Sequence, residues 1–230
     1  MKLNVHQRGD GDRLALLIHG GMSDHRTWHA VEDDLIARGY RVIAPDLRGH
    51  GQSPRGEYTP ELLAEDLVDN LPVGADVAIG HSLGGLALSV AASRLLPRKA
   101  VYSDPGFVLD TVPAGALAFM KQMVSSSTAE SVHQMNPRWS QADIDAELKG
   151  FALFDASFLD GVSGFDGDYL PASPVVPSLV QLADPSLTIK PETAELLAAR
   201  GFEVRTVRAA GHCVHRDDLP GFMASLEGWI

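Results

Sequence analysis

Cysteine is nearly absent from this chain of 230 residues: Cys213 stands alone. No internal disulfide can form, and no pair of thiols is available for dithiol redox chemistry. Long apolar runs are missing as well. The opening residues, Met1-Lys2-Leu3-Asn4-Val5-His6, carry no apolar segment of the kind that leads a secreted protein, and Leu14-Ala15-Leu16-Leu17-Ile18 has the length of a strand rather than of a membrane span. Basic residues are the minority, 19 against 30 acidic, which leaves a net charge of −11. No basic cluster interrupts that charge, so nucleic-acid backbones and anionic membrane surfaces are repelled rather than attracted. The dinucleotide fingerprint G-x-G-x-x-G is missing too. From these absences a cytoplasmic chain is expected, with a small-molecule rather than a nucleic-acid or membrane partner and with no cofactor or metal; monomer and homodimer both stay open.

What is present is a regular alternation of apolar strands and amphipathic helices. At this length one α/β domain with a large core is expected, and the spacing predicts a mainly parallel sheet of eight or seven strands with helices on both faces. Residues 3–8 and 13–18, joined by Gly9-Asp10-Gly11-Asp12, read as a hairpin leading into a buried strand. A helix follows over 23–38 and stops at Gly39. Tyr40-Arg41-Val42-Ile43-Ala44-Pro45 is the next strand and opens into the polar loop Asp46-Leu47-Arg48-Gly49-His50-Gly51-Gln52-Ser53. Thr59-Pro60-Glu61 starts a helix that runs to about Asn70, with Thr59 as N-cap and Pro60 in the first turn.

The alternation breaks between about 107 and 173, which divides the chain into a core (1–106 and 174–230) and an insertion (107–173). Short helices are predicted near Pro113–Val124 and Thr128–Met135, with a third from Ser140, capped by Asp143, to Gly150, followed by a loop rich in Gly, Asp and Phe. A helical insertion between two sheet strands is most simply a lid over the open end of the sheet, with a dimerisation element as the alternative. A strand at 177–183 then ends in Asp184-Pro185, a helix runs from Pro191 to Gly201, and a last strand at 203–207 leads to Ala210-Gly211-His212. A closing helix from about Leu219 buries Phe222, Leu226 and Trp229.

One stretch carries chemistry. Gly80-His81-Ser82-Leu83-Gly84 is G-x-S-x-G at a junction where the apolar strand Asp76-Val77-Ala78-Ile79 runs straight into an apolar helix. A turn this tight needs glycines and thrusts the serine outward at the start of the helix. A serine hydroxyl is a weak nucleophile at neutral pH and needs a base within hydrogen-bond reach, itself held by a third group. His212 and Asp184 follow later strands and, in a parallel sheet, share the edge with Ser82. His215 is a rival base, but only His212 sits at the strand end behind Gly211. His81 points into packing, and His19 and His50 brace loops. Cys213 lacks a glycine elbow and reads as a structural thiol.

With His19-Gly20-Gly21, the Asp46–Ser53 loop, Gly80–Gly85, Asp184 and Gly211-His212 in this order, the chain resembles the α/β-hydrolase superfamily over nearly its whole length. The resemblance implies Ser82 as nucleophile, His212 as general base and then acid, and Asp184 as the orienting carboxylate. Asp104, which also follows a strand, occupies the earlier position that some members of the superfamily use. The oxyanion hole would be the backbone N–H groups of Leu83 and Gly21, or Met22 with the loop read one residue later. Met22, His25 and Trp28 are expected along the substrate cavity, joined from the lid by Phe119, Met120, Met123, Met135, Trp139, Phe151 and Phe154. A serine at position 82 disfavours the epoxide hydrolases and haloalkane dehalogenases of this fold, which use aspartate. The expected activity is hydrolysis of a small-molecule ester or lactone through an acyl-enzyme. Hydrolysis of a carbon–carbon bond in a diketone-type compound, or ligand reception without turnover, are the alternatives.

Overall fold

A computed structural model describes residues 1–109, 114–162, 165 and 167–230. Strands β1 (Val5–Arg8), β2 (Arg13–Ile18), β3 (Tyr40–Pro45), β4 (Val77–His81), β5 (Ala100–Ser103), β8 (Ser178–Leu182) and β9 (Glu203–Thr206) form a seven-stranded sheet in the order β1-β3-β2-β4-β5-β8-β9. All neighbours are parallel except β1, which pairs antiparallel with β3 from Val5↔Pro45 to Arg8↔Val42. The expected hairpin of the first two strands is therefore not formed. The Gly9–Asp12 turn carries the chain past β3, and Gly9 and Gly11 lie so close to the backbone at Gly39-Tyr40 that a Cβ on either would collide with it. A sequence shows that two strands follow each other but not whether a third slides between them.

Both faces of the sheet are covered, and the strands show it residue by residue. Along β2, Leu16 and Ile18 enter one apolar cluster while Ala15 and Leu17 enter the other, the alternation that a pleated strand imposes on successive side chains. Helices α2 (Pro60–Asn70), α3 (Leu83–Leu95) and α8 (Pro191–Ala199) supply the first cluster, through residues such as Leu63, Leu67, Leu88 and Leu197. Helix α1 (His29–Ala37) and the closing α10 (Leu219–Ser225) supply the second through Leu35 and Phe222. Each such side chain taken fully out of water contributes roughly 1.5–3 kcal/mol of gross stabilisation. The helix expected over 23–38 is divided: a 3-10 turn, His25–Trp28, precedes α1, because the Asp24 carboxylate caps Arg26 N–H and fixes the tighter turn.

Between β5 and β8 lie α4 (Ala114–Ser126), α5 (Ala129–Met135), α6 (Gln141–Leu153), α7 (Ser157–Val162) and a small ribbon of β6 (Val108–Leu109) with β7 (Gly167–Asp168). The expected start of the first helix at Pro113 lies outside the described residues. Ser140 and Asp143 cap α6 reciprocally, but the helix runs on past Gly150. That glycine does not stop the helix; it lets it approach the loop after β2, since a Cβ there would stand 3.2 Å from the Met22 carbonyl oxygen. Part of the segment expected as loop is α7, whose Phe158 and Leu159 join Tyr58, Phe154 and Phe165 in a separate apolar cluster.

Polar bonds also tie this block to the rest of the chain. Trp139 Nε1–H donates to Asp217 (2.8 Å), Tyr58 O–H to Asp155 (2.5 Å), and His29 Nε2 lies 3.0 Å from Asp143.

Helix α3 packs on β2 with its first turn against the strand end, and Gly84 makes that possible. A Cβ there would penetrate the Ile18 and His19 carbonyl oxygens, neither of which can withdraw without breaking the sheet. Gly84→Ala is expected to lose about 2–3 kcal/mol of stability by overpacking. Thermal unfolding followed by circular dichroism would then show a Tm lower by roughly 5–10 °C.

Candidate active site

Three parallel strands deliver their C-terminal ends to one edge. β4 ends at His81, and Ser82 makes the turn into α3 with φ 50° and ψ −116°. Such a backbone is strained for a residue with a Cβ and persists only where its surroundings dictate it. They do so here. Ser82 N–H donates to the Ser103 carbonyl (3.0 Å), and Gly106 N–H donates to the Ser82 carbonyl (3.1 Å). A Cβ on Gly80 would lie 2.5 Å from the Gly84 carbonyl oxygen, so the elbow closes only around glycine.

The His212 ring lies between Ser82 and a carboxylate. Nε2 is 3.0 Å from Ser82 Oγ, and Nδ1 is 2.6 Å from Asp104 Oδ2. A carboxylate can only accept, so Nδ1 carries the proton and donates it to Asp104, which leaves Nε2 as acceptor for the serine hydroxyl. The backbone carbonyl of His212 is itself held by His81 Nε2–H at 2.9 Å. The His81 ring therefore bonds within the wall, and burial pushes it down to about 3, keeping it neutral in that role.

The carboxylate is Asp104, not the Asp184 favoured by the chain order. Asp184 is exposed, and its backbone N–H donates to the Ala210 carbonyl (2.8 Å). Asp104 is fully buried at the end of β5, the strand adjacent to β4, in a left-handed conformation (φ 41°) that Asp tolerates better than most residues. The loop after β8 supplies its donors: Ser186 Oγ–H at 2.5 Å, and the backbone N–H groups of Ala183 and Leu187, each at 3.3 Å. Burial by itself would raise the pKa of Asp104, but the bonds from His212 and Ser186 outweigh it and hold the group below the usual carboxylate range. Asp104-Pro105 and Asp184-Pro185 are the same dipeptide after an apolar strand. The one signal that separates them is Ser186, a hydroxyl two residues after Asp184 that serves the other aspartate.

The rival base His215 is not the partner of Ser82, and His19 and His50 brace loops as expected. His215 is buried with its ring stacked on Trp28 (4.2 Å between centroids), and burial lowers its pKa well below the ordinary value. His50 donates from Nδ1 to the Arg48 carbonyl (2.8 Å) and accepts Met22 N–H at Nε2 (3.1 Å); burial pushes it down to about 3. His19 bonds to the Gly20 carbonyl and accepts Leu47 N–H. The Met22 amide is therefore committed to His50, while Gly21 stands against Leu83, a Cβ on it falling 3.8 Å from Leu83 Cδ2.

Ser82 and His212 open into a cavity of about 460 Å³. Of the expected cavity residues, Met22, Met123 and Trp139 line it, as do Met120, Met135 and Phe151. His25 and Trp28 do not. His25 turns to Asp46, with Nδ1 2.7 Å from its Oδ1, and stacks on His6; Trp28 is buried in the cluster beneath the sheet. The 3-10 turn rotates both away from the cavity. Phe119 is exposed, and Phe154 packs on His50. Sequence reasoning missed Arg216 and Glu147, which line the same cavity. Cys213 also lines it, its thiol pushed up to about 11 by burial, consistent with an unreactive structural cysteine.

Among the described residues, Asp24, His25 and Asp46 bring metal-ligating atoms within 4.8 Å of one another. Their oxygens are already engaged. Asp24 accepts from the Arg26 backbone and side chain, and Asp46 accepts from His25, Asn4 and the Gln52 amide. The group locks the loop after β3 to the 3-10 turn. No described helix is long and apolar enough to cross a membrane.

Comparison with known proteins places this geometry. An epoxide hydrolase of Caballeronia sordidicola is 30% identical over 159 residues, covering 64% of this chain and 47% of that protein. A pyrethroid hydrolase of Sphingobium wenxiniae is 35% identical over 108 residues, 42% of this chain and 39% of that one. Uncharacterised mycobacterial proteins are 45% identical over 82 residues, only 24% of their length, so the chain spans less than half of the curated relatives it matches here. In structure, the N-formylmaleamic acid deformylase of Pseudomonas putida S16 superposes with a TM-score of 0.79 at 21% identity, over 98% of this chain and 96% of that one. An E-2-(acetamidomethylene)succinate hydrolase gives 0.76 at 21%, over 99% and 94%. The alpha/beta hydrolase family model matches residues 15–224, and the chain belongs to that family.

Proposed function

We propose that this chain is a serine hydrolase of small-molecule esters or lactones, with Ser82 as nucleophile, His212 as general base and acid, and Asp104 as the carboxylate that orients His212. The observation that carries the reading is the line of hydrogen bonds from Ser82 through His212 to Asp104, opening into a cavity walled mainly by apolar side chains. Ser82 Oγ attacks the carbonyl carbon as its proton passes to His212 Nε2. The imidazolium so formed is stabilised by Asp104, as Coulomb attraction within a buried site favours. The oxyanion is received by the backbone N–H groups of Gly21, in the loop after β2, and Leu83, at the start of α3. His212 then gives its proton to the departing oxygen, leaving Ser82 acylated. Water, deprotonated by the same Nε2, attacks the acyl carbon, and the carboxylic acid leaves as Ser82 regains its proton.

The helices between β5 and β8 act as a lid. Their methionines and aromatics line the cavity beside Ser82 and set which substrates fit. The serine at the elbow matters for the class of reaction: opening an epoxide on this fold takes an aspartate there, and Ser82 suits acyl transfer instead.

A fluorophosphonate probe tests the assignment. Intact mass should rise by one adduct, Ser82→Ala should take none, and an adduct that survives Ser82→Ala would overturn the site.

A further inference from the structure

The wall of the cavity that continues from His212 is not apolar. Helix α9 (Val214–Asp217) begins two residues after the histidine and brings Arg216 to the cavity. The Arg216 side chain is only 4% exposed, and its guanidinium lies 3.7 Å from the centre of the Trp139 ring. Nη1 donates to Glu147 Oε2 on α6 (2.7 Å), and Nη2 donates to Cys213 Sγ (3.1 Å). Nε is buried with no partner among the described residues. Glu147 lines the cavity from the opposite element, and among the described residues its Oε1 accepts no hydrogen bond.

A buried ion pair of this kind adds little stability over apolar residues of the same volume, because removing both charges from water offsets their attraction. It does place unused donor capacity and an unused acceptor side by side in a chamber walled mainly by apolar side chains. Beside this pair and His212, the ionisable side chains that line the cavity are His81, held neutral, and Cys213, held protonated. The pair is neutral as a unit.

We propose that Arg216 and Glu147 form a specificity subsite for an uncharged substrate group that both donates and accepts hydrogen bonds, a carboxamide above all, and that they exclude a free carboxylate. A carboxamide oxygen can accept from the guanidinium while its N–H₂ donates to Glu147, so each member of the pair gains a partner of the right kind. A carboxylate would also meet the guanidinium, but it would leave two negative charges against one positive in a low-dielectric chamber. The Trp139 ring, its centre 3.7 Å from the guanidinium carbon, holds the cation in place beside Glu147. The proposal rests on the hydrolase reading above for the location of the reacting carbonyl.

The test uses esters of one chain length ending in a methyl, a carboxamide or a carboxylate, with the terminal group placed on the acyl or on the alcohol side, and compares kcat/KM in the wild type and in Glu147→Gln. That variant is isosteric and removes the negative charge while leaving an oxygen for Arg216. On the side that reaches the subsite, the wild type should prefer carboxamide to carboxylate by at least tenfold. Glu147→Gln should cut that preference by at least tenfold, through a gain on the carboxylate ester. Equal rates for the two on both sides, or a ratio that Glu147→Gln leaves unchanged, overturns the proposal and identifies the pair as a bond between lid and core only. Calorimetric binding of the same intact esters to Ser82→Ala reads the subsite without turnover. If the binding preference is present while the wild type hydrolyses none of the esters, the hydrolase reading fails and the subsite stands.

Discussion

Asp104→Asn should lower kcat for ester hydrolysis by roughly 10⁴-fold with little change in KM, the size of loss seen when the orienting carboxylate of a Ser-His-Asp site becomes an amide. The reason is tautomeric. An amide at 104 can donate to His212 Nδ1, which favours the ring form with its proton on Nε2, and that form cannot accept the proton of Ser82. It also withdraws the charge that stabilises the imidazolium. Asp184→Asn should change kcat by no more than about twofold, as exposed substitutions do, because Asp184 is exposed and the His212 Nδ1 bond goes to Asp104. Steady-state kinetics on one p-nitrophenyl ester distinguish the two. A large loss in Asp184→Asn with a small one in Asp104→Asn would return the role to the later aspartate.

Ser82→Ala should cost on the order of 10⁶-fold in kcat and abolish the acyl-enzyme, since nucleophile and base act as one unit. The argument extends to the pair. If Asp104 acts only through His212 upon Ser82, then Ser82→Ala with Asp104→Asn should be no slower than Ser82→Ala alone, because with no nucleophile to activate the orientation of the ring is without effect. A further loss of more than about tenfold in the double variant, about 1.4 kcal/mol of barrier, would mean that Asp104 acts on the substrate or water by a separate route. The Ser82 backbone is dictated by its neighbours, with Gly80 and Gly84 in close contact and the Ser103 carbonyl accepting its N–H. Alanine can therefore take its place without rearranging the elbow, and the measured loss is chemical rather than structural.

The parts of this molecule that the chain order made legible are those fixed by local physics. The elbow is one: a glycine, a serine and a glycine between an apolar strand and an apolar helix can close in few ways, and β4 and α3 meet there within a residue of the expected junction. The cap at Thr59, whose side chain accepts Leu62 N–H, and the capping box of Ser140 with Asp143 are others, since each is a bond between residues three apart. His212 was legible because a glycine-histidine in the loop that leaves the C-terminal end of the last strand shares the edge with the elbow. Gly150 shows the limit of the same reasoning. A glycine signals a helix end when it takes a left-handed conformation, but it equally permits a close helix approach, and only the position of the Met22 loop decides between them.

The sequence by itself determined the alternation of strands and helices, the seven-or-eight-stranded parallel sheet, the outward serine and the histidine, because hydrophobic period, turn chemistry and caps are set by neighbours along the chain. Tertiary structure alone decided that β1 lies beside β3, that Asp104 rather than Asp184 faces His212, that His25 and Trp28 leave the cavity, and that Arg216 and Glu147 enter it. Each of these is a contact between residues far apart in sequence, and two Asp-Pro dipeptides after two apolar strands differ only in which strand the fold places next to Ser82.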